Sequence, residues 1–142
     1  RFSLPYRPGE LVAVARSGDG QVHRSRLRSA QGPLRLVLRA ERSELAADGD
    51  DLAYIAVEIA DSDGVVESLA DDMVRLTIEG PATLAGFGSA APATEESFAD
   101  HEHTTYYGRA LAVVRATRTA GAVRITADSR QHGTATCDLE IS

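Results

Sequence analysis

Apolar and polar positions alternate along most of this chain. Ile55, Val57 and Ile59 interleave with Tyr54, Ala56, Glu58 and Ala60, the period of a strand with one buried face. Ala47-Asp48-Gly49-Asp50-Asp51 precedes this run and Asp61-Ser62-Asp63-Gly64 follows it, and both are turn sequences. The pattern predicts a central strand between two turns. The same alternation recurs at Leu34, Leu36, Leu38 and Ala40, at Val74, Leu76 and Ile78, and at Val123, Ile125 and Ala127. In a last strand over Thr134 to Ile141 it places Ala135, Cys137, Leu139 and Ile141 on one face. A further strand over Gly108 to Thr117 has an inward face that Leu111, Val113 and Val114 leave undecided. Ile55, Val57, Leu76, Ile78, Ile125, Leu139 and Ile141 are the expected core.

The connections carry their own signals. Glu41 to Asp51 is expected to turn the chain and Val65 to Met73 to connect irregularly. Gly80-Pro81 ends a strand, because proline cannot donate to a ladder, and a short strand is expected over Thr83 to Ala85. Residues 86–105 show no sustained period, long for a structureless loop. Nearer the N-terminus, Leu11 to Arg16 and Gln21 to Ser29 flank Ser17-Gly18-Asp19-Gly20, the pattern of a hairpin. A lone hairpin is marginal in water and must pack on something; Ala30-Gln31-Gly32-Pro33 after it reads as a linker. About seven strands follow residue 33, separated by turn signals, the signature of an all-β, immunoglobulin-like β-sandwich. The expected division is 1–32, hairpin plus linker, and 33–142, the sandwich.

Composition narrows the function classes. The 142 residues suffice for one core without covalent staples. No run of about 18 apolar residues suggests a membrane helix. No signal pattern opens the chain, although Arg1 does not read as a natural start and such a signal could lie upstream, so localisation stays open. The formal charge is −6, and the basic residues are arginines scattered along strands rather than clustered. Nucleic acid and membrane are therefore not expected partners. The single cysteine, Cys137, allows no internal disulfide, and its place on an inward strand face predicts a buried, inert thiol.

Three groups of residues offer chemistry. Asp48, Asp50, Asp51, Asp61, Asp63, Asp71 and Asp72 could in principle bind calcium or pair for glycoside hydrolysis, but all fall at expected turns, where such side chains bond nearby amides. His101 and His103 could share a strand face and hold zinc if His132 or His23 supplied a third ligand; a solvated loop end is the plainer reading. Phe87, Phe98, Tyr106 and Tyr107 surround the long loop and could anchor it or stack on sugar rings. No phosphate loop or nucleophile elbow occurs, so no catalytic, cofactor or metal residue is expected.

Five stretches carry a resemblance. Pro5-Tyr6-Arg7-Pro8-Gly9-Glu10-Leu11-Val12-Ala13-Val14-Ala15 resembles a segment found late in bacterial glycoside hydrolases of family 2, the β-galactosidase group, at the end of an immunoglobulin-like domain. Leu34-Arg35-Leu36, the stretch Ala47 to Asp61, Gly80 to Gly86 and Tyr107 to Arg115 resemble the next and final domain of those enzymes. Gly88-Ser89-Ala90-Ala91-Pro92 departs from the family's Asn-Gly-Asp/Asn-Pro at that place. The resemblance implies a non-catalytic accessory domain with no cofactor, since the family's catalytic glutamates lie in a barrel that nothing here matches. The irregular segment Gly86 to Tyr106 is then expected to pack against another domain of such a parent hydrolase or against a second subunit of a homo-oligomer, through Phe98, His101, His103, Tyr106 and Tyr107, with carbohydrate contact as an alternative. The acidic turn and strand also resemble the immunoglobulin-like repeats of invasin and intimin adhesins, and a carbohydrate-binding module is a third reading.

Overall fold

A computed structural model describes residues 3–142, so the first two positions of the 1–32 segment lie outside it. Eleven strands are present among the described residues. The first two, β1 (Glu10–Arg16) and β2 (Val22–Arg28), form a separate hairpin that pairs with neither sheet of the sandwich. Arg28 reaches Asp63 at 3.1 Å, and the amide of Gln31 donates to Asp61 Oδ2 at 2.9 Å. The hairpin is thereby tied to the turn after the central strand.

One sheet has four strands in the order β3 (Arg35–Ala40), β5 (Leu52–Ala60), β9 (Arg109–Ala116), β7 (Ala82–Gly88). The other has five, in the order β4 (Glu44–Leu45), β11 (Gly133–Ile141), β10 (Gly121–Ser129), β6 (Met73–Glu79), β8 (Glu102–Thr104). The first sandwich segment splits between the sheets: β3 pairs antiparallel with β5, and β4 crosses over to run parallel to β11. Leu36 and Leu45, both buried, anchor its two halves.

Alternation becomes packing at one row. Ile55 of β5 lies opposite Ala112 of β9, which lies opposite Phe87 of β7. All three are buried, and the small alanine between two large side chains lets the facing sheet interdigitate. Leu76, Ile125, Leu139 and Ile141 supply that facing layer. The expected core holds except at Ile78, which is only partly buried at the end of β6, beside the Gly80-Pro81 crossing. On β9 the undecided face resolves: Ala110, Ala112, Val114 and Ala116 point in and Leu111 points out.

Other expectations shift. Nine strands follow residue 33 rather than about seven, because β4 and β8 are too short to show a period. The strand expected over Thr83–Ala85 runs from Ala82 to Gly88, its alternation interrupted by a bulge between Leu84 and Gly86 and masked by two glycines. Cys137 faces the core but is half-buried; burial, then the charge of Asp138, pushes its thiol above the ordinary value, which keeps it a poor nucleophile.

Truncating Ile55 in the central strand to alanine should cost about 3 kcal/mol, the range for a large buried aliphatic side chain. Leu111→Ala, at an exposed site on the neighbouring strand, should change stability by less than about 0.5 kcal/mol. Urea unfolding followed by circular dichroism separates the two.

Candidate functional site

The long connection between β7 and β8 is held rather than loose. The Phe98 carbonyl accepts from the Phe87 amide at 2.8 Å, and the Phe98 ring lies on Gly88. A Cβ on Gly88 would come within 2.2 Å of Phe98 Cδ1, so only glycine leaves room for the ring. Phe98 also stacks on His103, ring centroids 5.3 Å apart, while Phe87 meets His103 edge-on at 6.0 Å.

His103 is fully buried, not solvated. Its Nδ1 lies 3.0 Å from the Thr104 carbonyl and 3.2 Å from Glu96 Oε2. Both are acceptors, so Nδ1 carries the proton; Nε2 is buried without a partner. Glu96 also accepts from the Thr104 amide at 3.1 Å and from its hydroxyl at 2.5 Å. Burial pushes the Glu96 carboxyl up, and the Thr104 bonds outweigh it, leaving the pKa below its ordinary value.

Beside this closure runs a groove of about 770 Å³ on the outer face of the four-stranded sheet. Phe98, Tyr106, Tyr107, Leu111 and Val113 wall it, and Gly86 and Gly88 leave its floor bare. Tyr107 and Gly108 form the tight turn into β9, bridged by Tyr106 and Arg109. Tyr107 sits at φ 52°, a left-handed conformation costing a non-glycine residue about 1 kcal/mol. Gly108, at φ 70°, packs so close that a Cβ would meet the Glu67 carbonyl at 2.3 Å. The turn holds the Tyr107 ring out, 55% exposed, with its centroid 4.3 Å from that of Tyr106. The Tyr106 hydroxyl's own hydrogen bond to the Tyr107 side chain, then burial, raises the Tyr106 phenol.

The structure therefore divides the five expected contact residues. Phe98, Tyr106 and Tyr107 line the groove. His103 is buried behind Phe98, and His101 binds the Leu76 carbonyl at the sheet edge through Nδ1 at 3.2 Å. Gly86, Gly88, Leu111 and Val113 belong to the groove and were not anticipated. The undecided face of β9 and the Gly-x-Gly at 86–88 were the signals for them.

Asp48 and Asp61 serve their own turns. Asp48 Oδ1 accepts from the amides of Asp50 and Asp51, each at 2.8 Å, and Asp61 Oδ1 from those of Asp63 and Val65, each at 2.9 Å. Asp72, buried like Asp61, holds side chains instead of turn amides: it binds the Ser129 hydroxyl and His132 Nδ1, the latter at 2.9 Å. Serine and histidine both bond the carboxylate here, so the trio closes the β10–β11 turn without activating the hydroxyl as the histidine of a triad would. Among the described residues no three His, Cys, Asp or Glu side chains are grouped to hold a metal ion.

The fold defines a class: an immunoglobulin-like β-sandwich. The chain belongs to the glycoside hydrolase family 2 C-terminal domain 5 family, which matches over residues 36–138. The β-galactosidase BoGH2A of Bacteroides ovatus is 32% identical over 128 residues, 90% of this chain and 15% of that protein. A glycoside hydrolase family 2 member from Bacteroides cellulosilyticus superposes with a TM-score of 0.92 at 37% identity, over 98% of this chain and 18% of its own. The D00–D0 domain of intimin shares the fold alone, with a TM-score of 0.54 at 16% identity over 94% of this chain and 63% of its own. This chain thus spans less than a fifth of the two hydrolase chains it matches.

Gly88→Ala should displace the Phe98 ring, cost about 1–3 kcal/mol as an overpacking substitution, and speed hydrogen exchange at the Phe87 amide. Gly18→Ala, with nothing within 4 Å, is the control and should do neither. The carboxyls of Asp48, Asp51, Asp61 and Asp72 lie below their ordinary value of 3.8. Their contribution to stability is complete above that pH and disappears as pH falls through the lower folded values. Urea midpoints should therefore drop below about pH 4, and Asp72→Asn should flatten that drop while lowering the midpoint at pH 7.

Proposed function

We propose that this chain is a C-terminal accessory domain, without catalytic residues of its own, of a β-galactosidase-like family 2 hydrolase. The observation that carries this reading is the combination of near-complete coverage here with 15% coverage of the β-galactosidase relative. In this reading the 1–32 segment completes the preceding domain. Leu11, Val14 and Leu27 of the hairpin are exposed, as they would be if their cover came from elsewhere. The 86–106 connection then presents Phe98 and, with Tyr106 and Tyr107, the groove to another part of the parent enzyme.

Chemistry supports the non-catalytic assignment. A retaining glycosidase needs two carboxylates about 5 Å apart across the scissile bond. Here Asp48, Asp51 and Asp61 are committed to backbone amides of their own turns, and Asp72 is buried among Ser129 and His132. The adhesin-repeat reading has only the shared fold in its favour.

The purified chain should not turn over a chromogenic β-galactoside; activity that persists after removal of trace host enzyme would overturn the assignment. Deleting residues 89–100 from the full-length hydrolase should lower its melting temperature or alter its activity or oligomer size. Wild-type values for all three would reduce the domain to a passive spacer.

A further inference from the structure

The outer face of the four-stranded sheet carries a charge pattern opposite to that of the whole chain. Cross-strand register sets Arg39, Ala56, Leu111 and Gly88 in one row and Tyr54, Val113 and Gly86 in the next. The two rows form an apolar centre continuous with the groove, with Tyr54 41% and Leu111 46% exposed. Arg35, Arg39, Arg109 and Arg115 surround it, all exposed, and Glu58 is the single carboxylate among the strand positions of this face. Glu58 sits between Arg39 at 3.6 Å and Arg109 at 3.5 Å. The rim is thus cationic on a chain whose formal charge is −6.

That pattern selects among occupants. A second copy bound through the same face would be related by a two-fold axis and would bring arginine rim against arginine rim, an arrangement that like charges oppose. A saccharide would bury hydroxyls against walls that are almost entirely carbon, and each hydroxyl without a partner is costly. A protein surface with an apolar centre and a carboxylate rim satisfies both the centre and the rim. Interfaces of that kind concentrate their energy in a few central aromatic and aliphatic anchors, the role Phe98, Tyr107 and Leu111 can fill. The backbone strain at Tyr107 is of the sort stored at binding sites.

We infer that this face docks a carboxylate-rimmed apolar surface on another domain of the parent hydrolase. The inference rests on the accessory-domain reading above and names the surface that domain uses. Docking orients the sandwich on the enzyme, with the arginine rim setting the register and the apolar centre supplying the affinity.

The test compares Leu111→Glu, Arg115→Glu and the remote charge control Arg130→Glu in the full-length enzyme and in the isolated chain. In the full-length enzyme, Leu111→Glu should speed release of the domain by limited proteolysis about tenfold, the equivalent of about 1.4 kcal/mol. Arg115→Glu should do so less, with an effect that fades at high salt; Arg130→Glu should leave the rate unchanged. In the isolated chain all three should keep the wild-type melting temperature within a few degrees, since the sites are exposed, which separates lost docking from lost folding. A wild-type release rate for Leu111→Glu in an active parent hydrolase overturns the docking surface and leaves the accessory-domain reading standing. A full-length protein without hydrolase activity overturns both. Isolated chain that dimerises until Leu111 is replaced assigns the face to a second copy, and galacto-oligosaccharide that shifts the Tyr107 and Leu111 nuclear magnetic resonances assigns it to sugar; either result overturns the inference.

Discussion

The core, the long loop and the groove meet at Phe87. Its ring fills the core beside Ala112, in the row where the two sheets interlock, and its amide holds the Phe98 carbonyl at 2.8 Å. The residues on either side, Gly86 and Gly88, point outward with no side chain, and Phe98 occupies the space above Gly88. One short stretch of strand therefore fastens the core, closes the long loop and floors the groove. Because a β-strand alternates faces, burying Phe87 obliges its neighbours to face outward. The groove is a consequence of the core.

Buried polar groups close the sandwich beside His103, which pairs with Val74 two residues from Asp72. Thr105 accepts from the Asp72 amide at 2.9 Å and returns its own amide to the Asp72 carbonyl at 3.0 Å. The Asp72 carboxylate then gathers Ser129 and His132, and the His132 carbonyl receives the Leu36 amide at 3.0 Å. This chain of bonds links the connection into β6, the turn before β11 and the start of β3. A buried carboxylate is tolerable only when so satisfied, and the cost of leaving its partners unpaired makes the arrangement specific. His103 departs from that rule: its Nε2 stays unpartnered between two aromatic rings.

The functional consequence is a sandwich with one distinctive face. Among its described residues no three His, Cys, Asp or Glu side chains are grouped to hold a metal ion. What it presents is shape and charge: an apolar centre framed by arginines, with a tyrosine in a left-handed turn at one edge. Such a face suits the positioning role proposed above, and the hydrolases this chain matches are more than five times its length.

Sequence alone determined the sandwich, because burying one face of a strand writes period two directly into the chain; Ile55, Val57, Ile125 and Ile141 could be read as core from that spacing. Turns were equally legible, since Asp48 and Asp61 bond amides two to four residues away, a range over which sequence distance and spatial distance agree. The short strands β4 and β8 were not legible, because two or three residues hold no period and their pairing is set by β11 and β6. His103 read as solvated for the same reason: Phe87, Phe98 and Glu96 come to it from up to sixteen residues away. The groove was half visible, as aromatics around a long loop. Its floor of Gly86 and Gly88 and its outward Leu111 followed only from cross-strand register, which depends on which strands become neighbours and which face the core claims.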